Sequence, residues 1–247
     1  MTGLAGVLSK RYGSRYPGAK SALPQHATGD CRMTVNNRLR AILRQAYQPC
    51  SGIGSSCADA RWDPTAGHVP RGQCGATTEL DIVRLVLVCA EPSTPRRDEE
   101  YAQACSADEY ISDAAIVSLG LLERKGTPFH ENLRQILDLC WRDLPFSVQM
   151  ERTWITNSVL CSAQTAGGRL PASMETRCAT TYLWPALRLF PNATIIALGA
   201  KARDRLRRIG VTGFLEARSA SPRSNQLNAA QESWKAVADE FRSRRAI

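Results

Sequence analysis

The chain has 247 residues, a formal net charge of +9 and 43% hydrophobic residues. That length holds one substantial α/β core or at most two small domains. No apolar run reaches the roughly 20 residues that span a bilayer, and residues 1–30 lack the continuous apolar stretch of a secretory signal, so a membrane span is excluded and an intracellular, reducing setting is expected.

The positive charge is carried mostly by arginine, since lysine occurs only at positions 10, 20, 125, 201 and 235. Arginine suits phosphate clamping and stacking on bases. A solvated basic surface is the plainer reading of the same charge.

In chain order, residues 1–32 are rich in Gly, Ser, Pro and basic side chains and predict a flexible basic arm, followed by a single domain over 33–247. Val35, Leu39, Ile42, Leu43 and Ala46 share one helical face. Residues 49–78 show no sustained period and predict a long loop, which needs a reason to be ordered. Val83 to Val88 is a β-branched and leucine run, the pattern of a strand buried on both faces.

Ser106 and Glu109 are spaced as a capping box for a helix reaching about Glu123, with Gly126 beyond it. Phe129, Leu133, Ile136, Leu137 and Cys140 mark a second amphipathic helix. A strand ending at Asn157 follows, then a Gly167-Gly168 loop and a helix opened by Pro171 and interrupted near Pro185. Thr194 to Leu198 predicts a third strand, Gly199 turns it into a basic helix ending near Arg208, and Phe214 to Ala217 predicts a fourth strand. A last helix carries Trp234, Val237, Ala238 and Phe241. Strands alternating with helices predict an α/β fold, a three-layer αβα sandwich around a central, mostly parallel four-stranded sheet.

Ligands of open α/β sheets bind at the carboxyl ends of the strands. Asn157 stands at such an end, and its amide has one acceptor and two donors with which to read the edge of a pyrimidine. The nine cysteines fall in a chain expected to be reduced, so disulfides do not account for them. Cys140 fits an apolar stripe as a core filler. Cys50 and Cys57 (C-x6-C) and, about a hundred residues on, Cys161 and Cys178 (C-x16-C) lie at element edges. Four thiolates from two distant segments are what an iron–sulfur cluster takes; four unrelated buried thiols would give the same spacing, and Cys57 with Cys74 is an alternative first pair.

Six segments resemble the uracil-DNA glycosylase superfamily, in particular its iron–sulfur branch, over about residues 50 to 240. Val88-Cys89-Ala90-Glu91-Pro92-Ser93 looks like its water-holding first motif, and Gly126-Thr127-Pro128-Phe129 like the segment whose aromatic ring stacks on the flipped base. Ile155 to Cys161 looks like the strand that reads the base and ligates the cluster, and Arg169 to Cys178 like the segment ending in a further ligand. Ile196 to Ala202 is similar to the family's Leu-Gly-x-x-Ala turn, and Ser221-Pro222-Arg223-Ser224-Asn225 to a loop that enters the minor groove. The resemblance departs at three points: no His opens the last motif, Cys89 and Glu91 occupy first-motif positions held by other residues in relatives, and the first cysteine pair is stretched. His130 is a candidate substitute for the missing His, or a surface residue.

The resemblance implies a DNA glycosylase that flips uracil or a modified pyrimidine and hydrolyses its N-glycosidic bond, leaving an abasic site. Glu91 would be catalytic, orienting or deprotonating water or stabilising positive charge on the sugar. Phe129 and Asn157 would bind the base, Ser221, Pro222, Arg223, Ser224 and Asn225 the DNA, and Cys50, Cys57, Cys161 and Cys178 a 4Fe–4S cluster. Hydroxymethylated or glucosylated cytosine of phage DNA is a compatible substrate, which would make this a defence enzyme. The expected partner is DNA, as a duplex with a flipped base or single-stranded, with the protein a monomer. The competing reading is a non-catalytic lesion or single-strand binding module on the same fold, and for each site residue a structural role is the alternative: Glu91 capping a turn, Phe129 in the core, Asn157 satisfying backbone groups.

Overall fold

A computed structural model describes residues 35–245 apart from 58–59, 97–98, 100, 102 and 163–167. The expected basic arm, residues 1–32, and Gly167 lie outside the described residues.

The first helix, α1 (Asn37–Leu43), starts at Asn36, whose side chain accepts a hydrogen bond from the Arg38 amide, and tightens into a 3-10 turn over Arg44–Tyr47. Next come β1 (Cys74–Gly75), β2 (Leu85–Cys89), α2 (Ala107–Glu123), α3 (Pro128–Cys140), α4 (Phe146–Glu151) and β3 (Thr153–Asn157). After them, α5 (Ala172–Cys178) runs through a π-helical turn, Ala179–Leu183, into α6 (Trp184–Leu187). The chain closes with β4 (Thr194–Leu198), α7 (Ala200–Arg208), β5 (Leu215–Ala217) and α8 (Leu227–Arg245).

The sheet has five strands in the order β1-β3-β2-β4-β5. The expected four parallel strands are present, but β1 adds an antiparallel edge, pairing Cys74 with Ile155 and Gly75 with Trp154. The expectation of four strands is corrected on this point, and part of the predicted 49–78 loop is strand. All five residues of both β2, a continuous apolar run, and β3 are buried, as central strands are when helices cover both faces. Val86, Val88, Trp154 and Ala197 face one core with residues of α1, α2, α5 and α7. Leu85, Leu87, Ile155, Ile196 and Leu198 face the other, with α3 and α8.

The capping box of α2 forms in full: Ser106 Oγ accepts from the Glu109 amide and the Glu109 carboxylate from the Ser106 amide. Its carboxyl end falls at Glu123 with Gly126 beyond it, as expected. Lys125 is left-handed (φ 53°), and the amides of Gly126 and Lys125 donate to the Leu121 and Leu122 carbonyls at 2.8 and 3.3 Å.

Candidate functional site

The parallel register sets Cys89 directly opposite Asn157, so the segments after β2 and β3 leave the sheet side by side. They stay tied beyond it. The amides of Ser158 and Val159 donate to the carbonyls of Cys89 and Ala90 at 2.8 and 3.1 Å, and Ser158 Oγ donates to Ala90 O at 2.7 Å.

Glu91 lies just beyond this junction with its side chain 4% exposed. Lys201 Nζ, from the first turn of α7, binds one carboxylate oxygen, and Arg205 Nη1 binds the other at 2.7 Å. Arg205 is itself 2% exposed and also donates to Ser158 Oγ at 3.0 Å and, through Nε and Nη2, to Glu175 at 3.0 and 2.8 Å. A buried carboxylate, Glu91, and a partly buried one, Glu175, thus share one buried guanidinium, whose desolvation is offset by charge-assisted hydrogen bonds.

Asn157 is 5% exposed, and its Nδ2 donates to the Arg71 carbonyl at 3.0 Å. The backbone passes so close at Gly72 that a Cβ there would overlap Nδ2. Arg71 fixes this crossing from the side: its guanidinium reaches Glu99, the Ser93 carbonyl and, at 2.7 Å, Ser162 Oγ, stitching the loops after β2 and β3 together. Nothing in the sequence marked Arg71. Arg205 did carry a signal, because Ala202, Arg205, Leu206 and Ile209 fall at the spacing of one helical face and three of the four are apolar.

Phe129 sits in the first turn of α3, partly buried against the second core and edge-on to His130 with ring centroids 5.2 Å apart. Its link to the loop after β2 is Arg96, which donates to the Gly126 carbonyl at 3.3 Å. His130 Nδ1 lies 2.7 Å from Thr127 Oγ1. Burial, reinforced by the charges of Arg96 and Arg124, pushes this imidazole down to about 4, so at neutral pH it is uncharged. Its folded value lies below the ordinary 6.5, and between the two the unfolded chain binds a proton that the folded chain does not. Stability is therefore expected to fall as pH drops from about 6.5 to about 4. Denaturation midpoints at stepped pH should show this slope flattened in a His130→Asn variant; an equal slope in both proteins would assign the loss to other groups.

The Ser219–Asn225 loop is anchored behind its tip. Asn132 Nδ2 of α3 donates to the Ala220 carbonyl at 2.9 Å, and Trp234 Nε1 of α8 to the Arg218 carbonyl at 2.9 Å. Ser221, Arg223, Ser224 and Asn225 are exposed, Pro222 is half-buried, and a 3-10 turn begins at Ser224.

Cys50, Cys57, Cys161 and Cys178 are all buried in the first core. Burial pushes the Cys178 thiol up to about 12, with Cys57 and Cys50 adding to the effect, and raises Cys161, on which Cys178, Cys50 and Cys57 act in turn. The four thiols are thus within electrostatic reach of one another, although among the described residues no three His, Cys, Asp or Glu side chains converge as a finished metal shell. One observation fits an anionic guest beside them: the Arg177 Nε is buried without a hydrogen-bond partner among the described residues. At Gly52 the side chains are tightly packed, since a Cβ there would stand 2.8 Å from Cys57 Sγ and 2.7 Å from Arg177 Cδ. Tyr182 places its hydroxyl 3.1 Å from Cys50 Sγ. Cys74 lies elsewhere, in the second core, where burial and Cys89 raise its thiol, so the alternative pairing of Cys57 with Cys74 does not fit the fold.

No protein-family model matches the chain, and a search of the curated proteins finds no match. Among the described residues no helix is long and apolar enough to cross a membrane.

Proposed function

We propose that the chain is a DNA glycosylase on a uracil-DNA glycosylase-like αβα fold, excising uracil or a modified pyrimidine. The observation that carries this reading is the meeting, at the carboxyl edge of one sheet, of the loop bearing Glu91 with Asn157 at the end of the neighbouring strand. Asn157 would read the base, Phe129 stack on it, and the exposed Ser221, Pro222, Arg223, Ser224 and Asn225 follow the DNA backbone and fill the space left by the flipped nucleotide. Hydroxymethylated or glucosylated cytosine of phage DNA remains the substrate proposed beside uracil, with a role in defence.

The placement of Glu91 favours neither of its expected roles. Both oxygens are held by cations, so the group is a fixed anion rather than a proton acceptor. It would hold Lys201 in place at the site edge, a positioning role rather than direct contact with the sugar. A neutral His130 would offer a hydrogen bond, not a positive charge, to a departing base.

Cys50, Cys57, Cys161 and Cys178 supply the four sulfurs that a 4Fe–4S cluster takes, and Arg177 and Tyr182 are polar groups beside them. Such a cluster would supply iron–thiolate bonds joining the segment before β1 to the end of β3 and to α5.

The test is base release from DNA carrying uracil, hydroxymethylcytosine or its glucosylated form, with alkali to cleave abasic sites. Cleavage is expected on one substrate and is lost in Glu91→Gln with DNA binding retained, because Lys201 loses its anchor. The sequestration of Glu91 also favours a second reading, a binding module without chemistry. That reading predicts salt-sensitive DNA binding and no abasic product on any substrate.

A further inference from the structure

Away from the Asn157 edge, α5, the π-helical turn and α6 enclose a cavity of about 320 Å³ against the carboxyl-terminal half of α7. That volume is at the small end of the range for small-molecule sites. Trp184, at 39% one of the few exposed large apolar side chains among the described residues, forms one wall, and Ile209 lies across from it as a second apolar lining residue. The π-helical turn brings Ala179 into the lining, and such turns recur at functional sites.

The charges lining this space are unequal. Arg205 and Arg208 are set against the single carboxylate of Glu175. Glu175 Oε1 takes Nε and Nη2 of Arg205, and Oε2 takes Nη1 of Arg208 at 2.6 Å. Arg208 is 49% exposed and, among the described residues, spends one nitrogen on Glu175, so the rest of its fork meets an incoming anion without breaking that pair. A planar, forked donor matches phosphate oxygens. An exposed indole offers a flat apolar face to a ring.

We propose that this cavity binds a nucleobase carrying a phosphate, the ring on Trp184 and the phosphate on Arg208. The chemistry is the same whether the group is a free mononucleotide or the phosphorylated end of a single strand. The site stands on the cavity alone and does not depend on the base-excision reading. Arg205 links it to the Asn157 edge, contacting Glu91 on one side and lining the cavity on the other.

The test is calorimetric titration of the full chain with thymidine 5′-monophosphate, with thymidine, and with a 5′-phosphorylated single strand beside its unphosphorylated form. Saturable binding of the mononucleotide is expected at a dissociation constant of about 1 mM or tighter. Thymidine should bind more weakly, and Arg208→Gln or Trp184→Leu should each weaken the mononucleotide about tenfold at unchanged melting temperature. Arg208 is half exposed, so Arg208→Gln keeps the test valid if the tryptophan variant fails to fold. A phosphorylated strand that binds with the same dependence on Arg208 assigns the site to strand ends; one that does not assigns it to free nucleotides. Absence of saturable mononucleotide binding, or an affinity indifferent to Arg208→Gln, overturns the proposal.

Discussion

An Arg205→Met variant is expected to lose about 1.5–3 kcal/mol of folding stability, the cost of taking charge-assisted hydrogen bonds from a buried carboxylate. Methionine fills the space but strips the hydrogen bonds from Glu91, Ser158 and Glu175, and Glu91, 4% exposed, keeps only Lys201. Guanidinium unfolding should show a lower midpoint at constant slope. Adding Glu91→Gln removes the stranded charge, so the double variant should recover part of the loss. A single variant within about 1 kcal/mol of the parent would mean that these ion pairs are solvated and weak, as surface pairs are.

The second large effect is expected at Gly72, whose φ is +80°. A left-handed backbone costs a side-chain-bearing residue about 1–2 kcal/mol, and the lost hydrogen bond from Asn157 to Arg71 about 1 kcal/mol more. Gly72→Ala should therefore destabilise by about 2–3 kcal/mol, because the new Cβ must push the Asn157 amide aside. Gly210→Ala is the control: its φ is +78°, but nothing lies within 4 Å of the added Cβ, so it carries the backbone cost alone. Under the proposed function, Gly72→Ala should also abolish base release while Gly210→Ala leaves it intact. Equal behaviour of the two variants would remove Asn157 from the site.

The elements legible in the sequence are those whose signal is local. Thr194 to Leu198 and the basic helix ending at Arg208 appear at the expected residues, and the Ser106 capping box forms as its spacing predicts. The parts missed are set by distant partners. Cys74 and Gly75 become a strand only because Ile155 and Trp154 offer an edge, and two residues carry no periodicity of their own. The six-residue α4 is likewise too short to show a period. At the proposed site, the positions of Asn157 and Glu91 at and just beyond strand ends were readable from the apolar runs that precede them. The residues that hold them, Arg71 and Arg205, were not singled out, since one sits in an irregular segment and the other was absorbed into a helix rich in arginine. Gly126 lies beyond α2 as expected and its amide closes the helix on the Leu121 carbonyl, while Lys125 rather than a glycine takes the left-handed conformation.

The two outer strands have a consequence for behaviour at high concentration. An exposed sheet edge is a template on which another chain can lay a strand, and long flat edges are where proteins aggregate. Here the borders are β1, with two residues, and β5, with three. The middle residue of β5 is Glu216, exposed and paired with Arg207. Neither border offers the length of backbone that an added strand needs, and one carries a charge at its centre. The parallel strands between them, apolar enough to be hazardous if uncovered, are thereby closed off from self-templating in the folded protein.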